Sequence, residues 1–247
     1  MKPDISIVIP AYNESDRLGG PLRKILDFAA SSGHNSEVIV VDDGSSDGTS
    51  EIAGEVFATH PAILSSVIRY EQNRGKGFAL KTGLLAAHAD TALITDADLS
   101  TPIEEMAKLT DPIIGGEFDV TFGSRALDRT LIGTHQPWVR EQGGRLVNLM
   151  IRTMSGLDFA DTQCGFKAFN MLKFRPLLDV MTIDRFGFDI EFLFVAQRHG
   201  LRLAEIPVRW NDVAGSKVSP LRDTRRMIGE LMQIRRNAKS DIYDKTS

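Results

Sequence analysis

The first half of the chain alternates short, continuous apolar runs with longer segments in which apolar residues recur at helical spacing. Continuous apolar runs are typical of strands buried on both faces, and the spaced segments are typical of helices that cover a sheet. The predicted strands are 5–10, 37–41, 66–70, 92–95 and 119–125. Strands that alternate with helices form parallel sheets with right-handed crossovers. The pattern therefore predicts a single α/β domain with a mostly parallel central sheet and helices on both faces.

Capping residues indicate where two of the intervening helices begin. Ser15 or Asp16 can cap the helix after the first strand. After the fourth strand, Thr101 is a candidate N-cap, Pro102 suits the first helical position and Glu104 can close a capping box. We therefore expect a helix to begin directly after Thr101.

The second half has a less regular pattern. Helical spacing predicts a helix over 137–154 and an amphipathic helix over 186–199, and the residues 162–169 are strand-like. A further strand is predicted over 203–210. Because proline cannot donate to a ladder, Pro207 places that strand at an edge of the sheet.

The terminal segment 221–239 is predicted to be a basic amphipathic helix. Its basic residues are Arg222, Arg225, Arg226, Arg235, Arg236 and Lys239. Met227, Leu231 and Ile234 form an apolar stripe along it. Such a helix can lie on an anionic membrane surface, or its stripe can pack on the domain while the arginines are solvated. Both interpretations remain open at the level of sequence.

Composition narrows the class of protein. The chain has 247 residues and a net charge of −4, which argues against a nucleic-acid-binding protein because such proteins are usually basic. The single cysteine, Cys164, excludes an internal disulfide framework and is interpreted as a small buried side chain. No apolar run is long enough to span a bilayer and no signal peptide is recognisable. We therefore expect a cytoplasmic protein that does not cross a membrane.

Acidic residues follow three of the predicted strands. In a sheet with the order 3-2-1-4, the loops after strands 1, 2 and 4 lie side by side at the carboxyl edge, where open α/β sheets bind ligands. Those loops carry Tyr12 and Glu14, Asp42 and Asp43, and Asp96 and Asp98. Acidic loops that meet in one crevice repel one another unless a cation is bound. Mg²⁺ and Mn²⁺ are usually held by one or two carboxylates together with substrate phosphates, so the pattern predicts a metal–nucleotide site.

This chain lacks the glycine patterns that two common classes of nucleotide-binding protein require. A dinucleotide-binding dehydrogenase needs glycines in the turn after the first strand, and residues 10–14 (PAYNE) contain none. The segment 73–77 (NRGKG) lacks the spacing and the Lys-Ser/Thr pair of a P-loop.

Four motifs occur in a familiar order: PAYNE at 10–14, VDDGSSDGT at 41–49, NRGKG at 73–77 and DAD at 96–98. Together they resemble the family 2 glycosyltransferases, which have the Rossmann-like GT-A fold. The later motifs GSR at 123–125, DTQCGFK at 161–167 and GSK at 215–217 resemble the branch that glycosylates polyprenyl phosphates. Within that branch the dolichyl-phosphate β-glucosyltransferases are the favoured group, and the dolichyl-phosphate mannose synthases are the alternative.

The resemblance implies roles for particular residues in binding the donor and a divalent metal. The implied nucleotide-sugar-binding residues are Pro10, Ala11, Tyr12, Glu14, Val41, Asp43, Lys76, Asp96 and Ala97. Asp96 and Asp98 would hold Mg²⁺ or Mn²⁺. The mannose synthases supply a third ligand at the position of Ser100. A serine hydroxyl is a poorer ligand, so either water completes the shell, which we favour, or Ser100 helps to cap the following helix.

The implied catalytic residues are Asp98, Arg125, Asp161 and Lys217. Arg125 and Lys217 would hold the diphosphate or the acceptor phosphate. Asp161 is a better candidate base than Asp189, although a phosphate acceptor does not need one. Asp189 and Glu191 are two residues apart on a predicted helix, so at most one of them points at the site.

The resemblance implies an inverting transfer of glucose from UDP-glucose to a polyprenyl monophosphate, with GDP-mannose as the runner-up donor. The GT-A domain would span 1–220, with a nucleotide-sugar half at 1–125 and an acceptor half at 126–220, followed by a basic helix and tail at 221–247. The protein would work peripherally on the inner face of a membrane. A sugar-phosphate nucleotidyltransferase is the alternative enzyme, and a nucleotide-sugar-binding protein without activity is the alternative outside enzymes.

Overall fold

The computed structural model describes residues 2–134, 138–213 and 220–245. Seven strands form one sheet in the order β3-β2-β1-β4-β7-β5-β8, and a second sheet pairs β6 with β9. The strands are β1 Ile5–Ala11, β2 Ser36–Asp42, β3 Leu64–Arg69, β4 Thr91–Ile94, β5 Val120–Ser124, β6 Ile132–Thr134, β7 Lys167–Asn170, β8 Leu203–Pro207 and β9 Trp210–Asn211. The predicted order 3-2-1-4 is confirmed, and so is the edge position of the strand that contains Pro207.

The first four strands are parallel, whereas β7 is antiparallel to both of its neighbours, β4 and β5. The strand-like stretch 162–169 is therefore a strand only from Lys167 onward. The residues before it form a loop because the Asp161 carboxylate accepts a hydrogen bond from Gln163 N at 3.1 Å, a local turn that replaces strand pairing.

Eight α-helices occur in the described residues. They are α1 Gly19–Ser31, α2 Thr49–Ala58, α3 Lys76–Ala86, α4 Met106–Ile114, α5 Trp138–Ser155, α6 Met171–Phe174, α7 Phe188–Arg198 and α8 Pro220–Lys239. Short 3₁₀ turns lie at Ile103–Glu105, Arg129–Leu131, Arg175–Val180 and Ile242–Asp244. None of the helices that the structure describes has the length and apolar character needed to cross a membrane.

Side chains alternate between the two faces of the sheet, and each face is covered by helices. In β1, Ile7 and Ile9 belong to the hydrophobic cluster that includes α1, α2 and α4. Val8, between them, belongs to the cluster that includes α3, α7 and α8. This alternation is what a strand buried on both sides requires, and it gives the expected arrangement of helices on both faces.

Both predicted helix caps are wrong. Pro102 has a ψ of 141° and lies before the helix, and the 3₁₀ turn that follows precedes α4. Helix α1 begins at Gly19, where Leu18 is the N-cap and no side chain caps it. The backbone N–H of Ser15 instead donates to Asp47 Oδ2 at 3.2 Å, so Ser15 contacts the loop after β2.

The C-terminal helix packs on the domain. Met227, Leu231 and Ile234 are buried in the same cluster as α7, so packing is the correct interpretation of this stripe. Helix α7 is not amphipathic as predicted, because its residues Asp189 and Glu191 are buried together with its apolar ones.

Candidate active site

The loops after β1 and β2 are joined at the carboxyl edge of the sheet. Asn13 N donates to Ser45 Oγ at 2.9 Å, and Ser46 N donates back to Asn13 Oδ1 at 2.9 Å. Glu14 N donates to Thr49 Oγ1 at 2.8 Å. Because strand order reverses between β1 and β4, this edge is the topological switch point at which ligands bind in open α/β sheets.

Asp96 and Asp98 lie on a turn directly after β4. Leu99 N donates to Asp96 O at 3.2 Å, and Leu99 has a φ of 50°. Asp98 Oδ1 accepts hydrogen bonds from Ser100 N at 3.0 Å and from Ser100 Oγ at 2.9 Å. The Ser100 hydroxyl is thus engaged with Asp98, and it makes no cap for the following helix.

Lys76, the first residue of α3, reaches across to Asp96. The distance from Lys76 Nζ to Asp96 Oδ1 is 2.5 Å. Burial raises the pKa of Asp96, but the ammonium outweighs it and holds the pKa below its usual value. Burial likewise disfavours the Lys76 ammonium, yet the charges of Asp96 and Asp189 raise the pKa of Lys76 overall. The two groups therefore form an ion pair at the centre of the site.

Gly165 makes room for the Asp96 carboxylate. A Cβ built on Gly165 would lie 2.4 Å from Asp96 Oδ2 and 2.7 Å from Asp96 Oδ1. No side chain larger than hydrogen fits there without moving the carboxylate. Sequence reasoning included Gly165 in a motif but assigned it no role.

Arg125 forms a two-pronged ion pair with Asp161. Its Nε lies 2.6 Å from Asp161 Oδ2 and its Nη2 lies 2.8 Å from Asp161 Oδ1. Glu205 on β8 fixes this loop, because its carboxylate accepts hydrogen bonds from the N–H groups of Ala160 and Asp161 at 2.8 Å and 2.7 Å. Burial raises the pKa of Asp161, but Arg125 outweighs it and the pKa is lowered. Asp161 is therefore an anchor for Arg125 and a poor candidate for a base.

Asp189 and Glu191 point in different directions, as the spacing predicts. Asp189 Oδ1 lies 2.5 Å from the fully buried Lys167 Nζ, which also donates to Cys164 O. Glu191 accepts hydrogen bonds from Thr182 N and Ile183 N, both at 2.8 Å. Asp189 is the one that faces the charged groups of the site.

Asp43 holds a loop. Its carboxylate accepts hydrogen bonds from Tyr70 Oη at 2.7 Å, Asn73 Nδ2 at 2.7 Å, Arg74 N at 2.8 Å and Gly75 N at 2.9 Å. Asp43 is 3% exposed and accepts hydrogen bonds from these four donors. It therefore fixes Gly75, which precedes Lys76 at the start of α3.

The remaining candidate residues are distributed unevenly. Tyr12 is 42% exposed, and Glu14 pairs with Arg17 at 2.7 Å. The side chains of Ala11 and Val41 are buried in the two hydrophobic clusters, so they can reach a ligand only through their backbone.

Pro10 and Ala97 are partly exposed at the site. Lys217 lies outside the described residues. Cys164 is buried as expected, and burial raises the pKa of its thiol to about 11.

The donor set fits a hard divalent cation that a substrate completes. No group of three or more His, Cys, Asp or Glu side chains that could enclose a metal occurs within 2–134, 138–213 and 220–245. Two carboxylates one residue apart, beside a lysine and an arginine, match the way Mg²⁺ is held by one or two carboxylates plus substrate phosphates. Asp96 and Asp98 are the residues that would hold it.

Relatives with curated names share most of this chain. It is 33% identical over 242 residues to a dolichyl-phosphate β-glucosyltransferase of Drosophila melanogaster, which covers 94% of this chain and 74% of the relative. It is 31% identical over 255 residues to the dolichyl-phosphate β-glucosyltransferase of Saccharomyces cerevisiae, covering 97% and 76%.

A solved structure supports the fold. Glucosyl-3-phosphoglycerate synthase from Mycobacterium tuberculosis, in complex with Mn²⁺, UDP and phosphoglyceric acid, matches with a TM-score of 0.69 and 23% identity over 94% of this chain and 78% of that one. The family model for glycosyl transferase family 2 matches residues 6–175. The chain therefore belongs to glycosyl transferase family 2.

Proposed function

We propose that this protein transfers glucose from UDP-glucose to a polyprenyl monophosphate with inversion at the anomeric carbon. The observation that carries the proposal is the pair Asp96 and Asp98 at the switch point, with Lys76 on Asp96 and the Arg125–Asp161 pair nearby. The curated relatives named above support glucose and a dolichyl phosphate. GDP-mannose as the donor is not favoured by those names.

The residues divide the work between two phosphates. Asp96 and Asp98 would hold Mg²⁺ or Mn²⁺ at the donor diphosphate, where the metal would offset the negative charge of the leaving UDP. Pro10 at the end of β1, and Tyr12 and Glu14 in the loop after it, would contact the nucleotide. Arg125, and Lys217 by the resemblance, would hold the acceptor phosphate.

The reaction joins an acceptor phosphate oxygen to the anomeric carbon and breaks the bond from that carbon to UDP. A phosphomonoester has a second pKa of about 6, so near neutrality the acceptor is already an anion. No side chain has to remove a proton, which agrees with the engagement of Asp161 by Arg125 and of Asp189 by Lys167.

The test supplies radiolabelled UDP-glucose or GDP-mannose with Mn²⁺ and a short polyprenyl phosphate, and counts label in the lipid extract. We expect lipid-linked label from UDP-glucose, and about 100-fold less or lower with the Asp98→Asn variant. A parallel reaction replaces the lipid with 3-phosphoglycerate. Transfer only to 3-phosphoglycerate would contradict the lipid acceptor, and transfer only from GDP-mannose would contradict the donor.

We also propose that the protein works at the surface of a membrane, on the cytoplasmic leaflet. The support is the outer face of α8, where the exposed charged residues from 225 to 239 are all basic: Arg225, Arg226, Arg235, Arg236 and Lys239. Glu230, the acidic residue of that stretch, is partly buried and accepts a hydrogen bond from Gly187 N at 2.7 Å. A uniformly cationic face complements the negative potential of that leaflet.

A further inference from the structure

The residues 181–187, which precede α7, contact the beginning of α3. Phe78 N in the first turn of α3 donates to Asp184 O at 3.0 Å. Cβ atoms built on Gly75 and Gly77 would lie 2.4 Å from Asp184 O and 2.5 Å from Ile183 O. The two backbones are therefore packed without a side chain between them, and a shift of one must move the other.

The buried carboxylate of Glu191 holds the same segment from the opposite side. Glu191 is 0% exposed, and it accepts hydrogen bonds from Thr182 N and Ile183 N, both at 2.8 Å. Its third partner is Tyr243 in the C-terminal 3₁₀ turn, whose hydroxyl donates to Glu191 Oε1 at 2.7 Å. A buried carboxylate needs such donors, because an unpaired buried charge is strongly unfavourable.

Helix α8 adds contacts at both ends of this segment. Asn237 Nδ2 donates to Thr182 Oγ1 at 2.8 Å, and Gly187 N donates to Glu230 Oε2 at 2.7 Å. The C-terminal helix and turn thus fix residues 181–187. These residues follow the NRGKG motif at 73–77 by more than 100 positions in the sequence, but they contact it in space.

Lys76 lies between two such supports. Asp43 holds the N–H groups of Arg74 and Gly75 on one side, and residues 181–187 hold the first turn of α3 on the other. Lysine side chains have many rotamers, so the position of the ammonium depends on a fixed backbone. Active groups lose function when their supports allow displacements of about 1 Å.

We propose that Tyr243 and Glu191 are positioning residues for the donor site. Through residues 181–187 they fix the start of α3 and thereby keep Lys76 on Asp96. The inference rests on the proposed function in one respect, that the site at Asp96 binds a nucleotide diphosphate.

The test removes the hydroxyl of Tyr243 and keeps its ring. Calorimetric titration of the Tyr243→Phe variant with UDP and Mn²⁺ is expected to give a Kd about threefold to tenfold higher than that of the unaltered protein. In a Lys76→Met background the same substitution should have no further effect, because coupled residues are not additive. An equal loss in both backgrounds, or no loss in either, would overturn the inference.

A matched control separates positioning from general stability. Thr121→Val on β5 removes another fully buried hydroxyl, which donates to Leu109 O on α4 at 2.7 Å. We expect it to lower the melting temperature without changing the Kd for UDP. Asn237→Ala removes the donor to Thr182 Oγ1 and should therefore also loosen residues 181–187. It serves as a second test variant beside Tyr243→Phe.

Hydrogen exchange decides the structural link without any ligand. The Phe78 amide should exchange faster in Tyr243→Phe and in Asn237→Ala than in Thr121→Val. Unchanged Phe78 exchange would refute the inference even if the protein binds UDP. Failure of the unaltered protein to bind either UDP or GDP would instead refute the proposed function, and the exchange result would still stand on its own.

Discussion

The two carboxylates after β4 have different surroundings, and this difference sets the clearest test of the metal. Asp96 is paired with Lys76, whereas the contacts of Asp98 Oδ1 are with Ser100 in its own turn. Asp98→Asn should therefore leave the fold intact. We expect transfer to fall about 100-fold or more, by analogy with the loss of other charge-stabilising groups. UDP binding should lose its dependence on Mn²⁺. Full activity in excess EDTA would contradict a metal-dependent reaction.

Gly165 tests the geometry of Asp96 without changing a charged group. In Gly165→Ala the new methyl group would occupy the place of the Asp96 carboxylate, so the carboxylate has to leave Lys76. We expect about a 10²-fold loss of transfer, as for a misplaced reacting group, measured with saturating UDP-glucose. Gly54→Ala on α2 is the control, because a Cβ there meets nothing within 4 Å. Equal activities of the two variants would show that Asp96 need not stay in place.

The pH profile distinguishes an anionic acceptor from a protein base. Burial raises the pKa of Asp161, but Arg125 outweighs it and the net shift is downward. Asp161 therefore stays ionised while a phosphomonoester takes up its proton near pH 6. With saturating donor, we expect the rate to fall below about pH 6 because the acceptor becomes protonated.

Protonation of Asp189 is the other event that could lower the rate at acidic pH. Burial raises the pKa of Asp189, and the net shift remains upward despite Lys167 and Lys76. The fall of the rate below about pH 6 should nevertheless persist in Asp189→Asn, and in whatever activity Asp161→Asn retains. Circular dichroism checks that both variants are folded. Loss of this fall in either variant, at unchanged acceptor affinity, would establish a protein base.

At the scale of single residues, the local sequence pattern predicts which carboxylates could bind a metal. It does not predict which charged side chains pair with them. Asp96 and Asp98 follow from a motif at a strand end. The partners of Asp96 and Asp161 cannot be found that way, since Lys76 lies 20 residues from Asp96 and Arg125 lies 36 residues from Asp161. Only the sheet brings these groups together.

At the scale of elements, the first half was predictable because each helix returns the chain beside the preceding strand. The direction of β7 was not, because it depends on pairing with β4 and β5, which precede it by many residues. Cys164 and Phe166 lie in the loop before β7, within the stretch that was predicted to be strand-like. Both are buried, and burial alone does not distinguish a packed loop from a ladder.

Helix α8 gives a prediction about stability at this scale. Leu231 is 1% exposed in the cluster it shares with α7, whereas Met232 beside it is 59% exposed. Leu231→Ala should lower the free energy of unfolding by about 2–5 kcal/mol, and Met232→Ala by less than about 0.5 kcal/mol. Urea unfolding measures both. Similar values for the two variants would mean that the stripe does not pack on the domain.

At the scale of the whole molecule, charge is distributed unevenly. The chain carries a net charge of −4, yet the exposed charged residues of α8 from 225 to 239 are basic. Helix α8 contributes to the hydrophobic cluster on one face of the sheet, and α1 contributes to the cluster on the other face. The sequence could show the basic residues but not the face they occupy, because that face is defined by which stripe is buried.

This asymmetry predicts an orientation on anionic membranes. Each basic side chain near such a surface contributes about 1 kcal/mol, and salt screens it. Replacing Arg235 and Arg236 together by alanine should therefore weaken binding to phosphatidylserine vesicles about thirtyfold at low salt.

The matched control replaces Arg23 and Lys24, an exposed basic pair on α1 at the opposite face of the sheet. Both double variants change the net charge equally, so vesicle co-sedimentation compares position alone. We expect the α1 double variant to bind vesicles as tightly as the unaltered protein does. The binding of these two proteins should weaken as salt is raised, because salt screens the attraction between the basic side chains and the membrane. An equal loss in the two variants would mean that net charge drives the interaction. Retention of binding by both would remove α8 from the membrane contact.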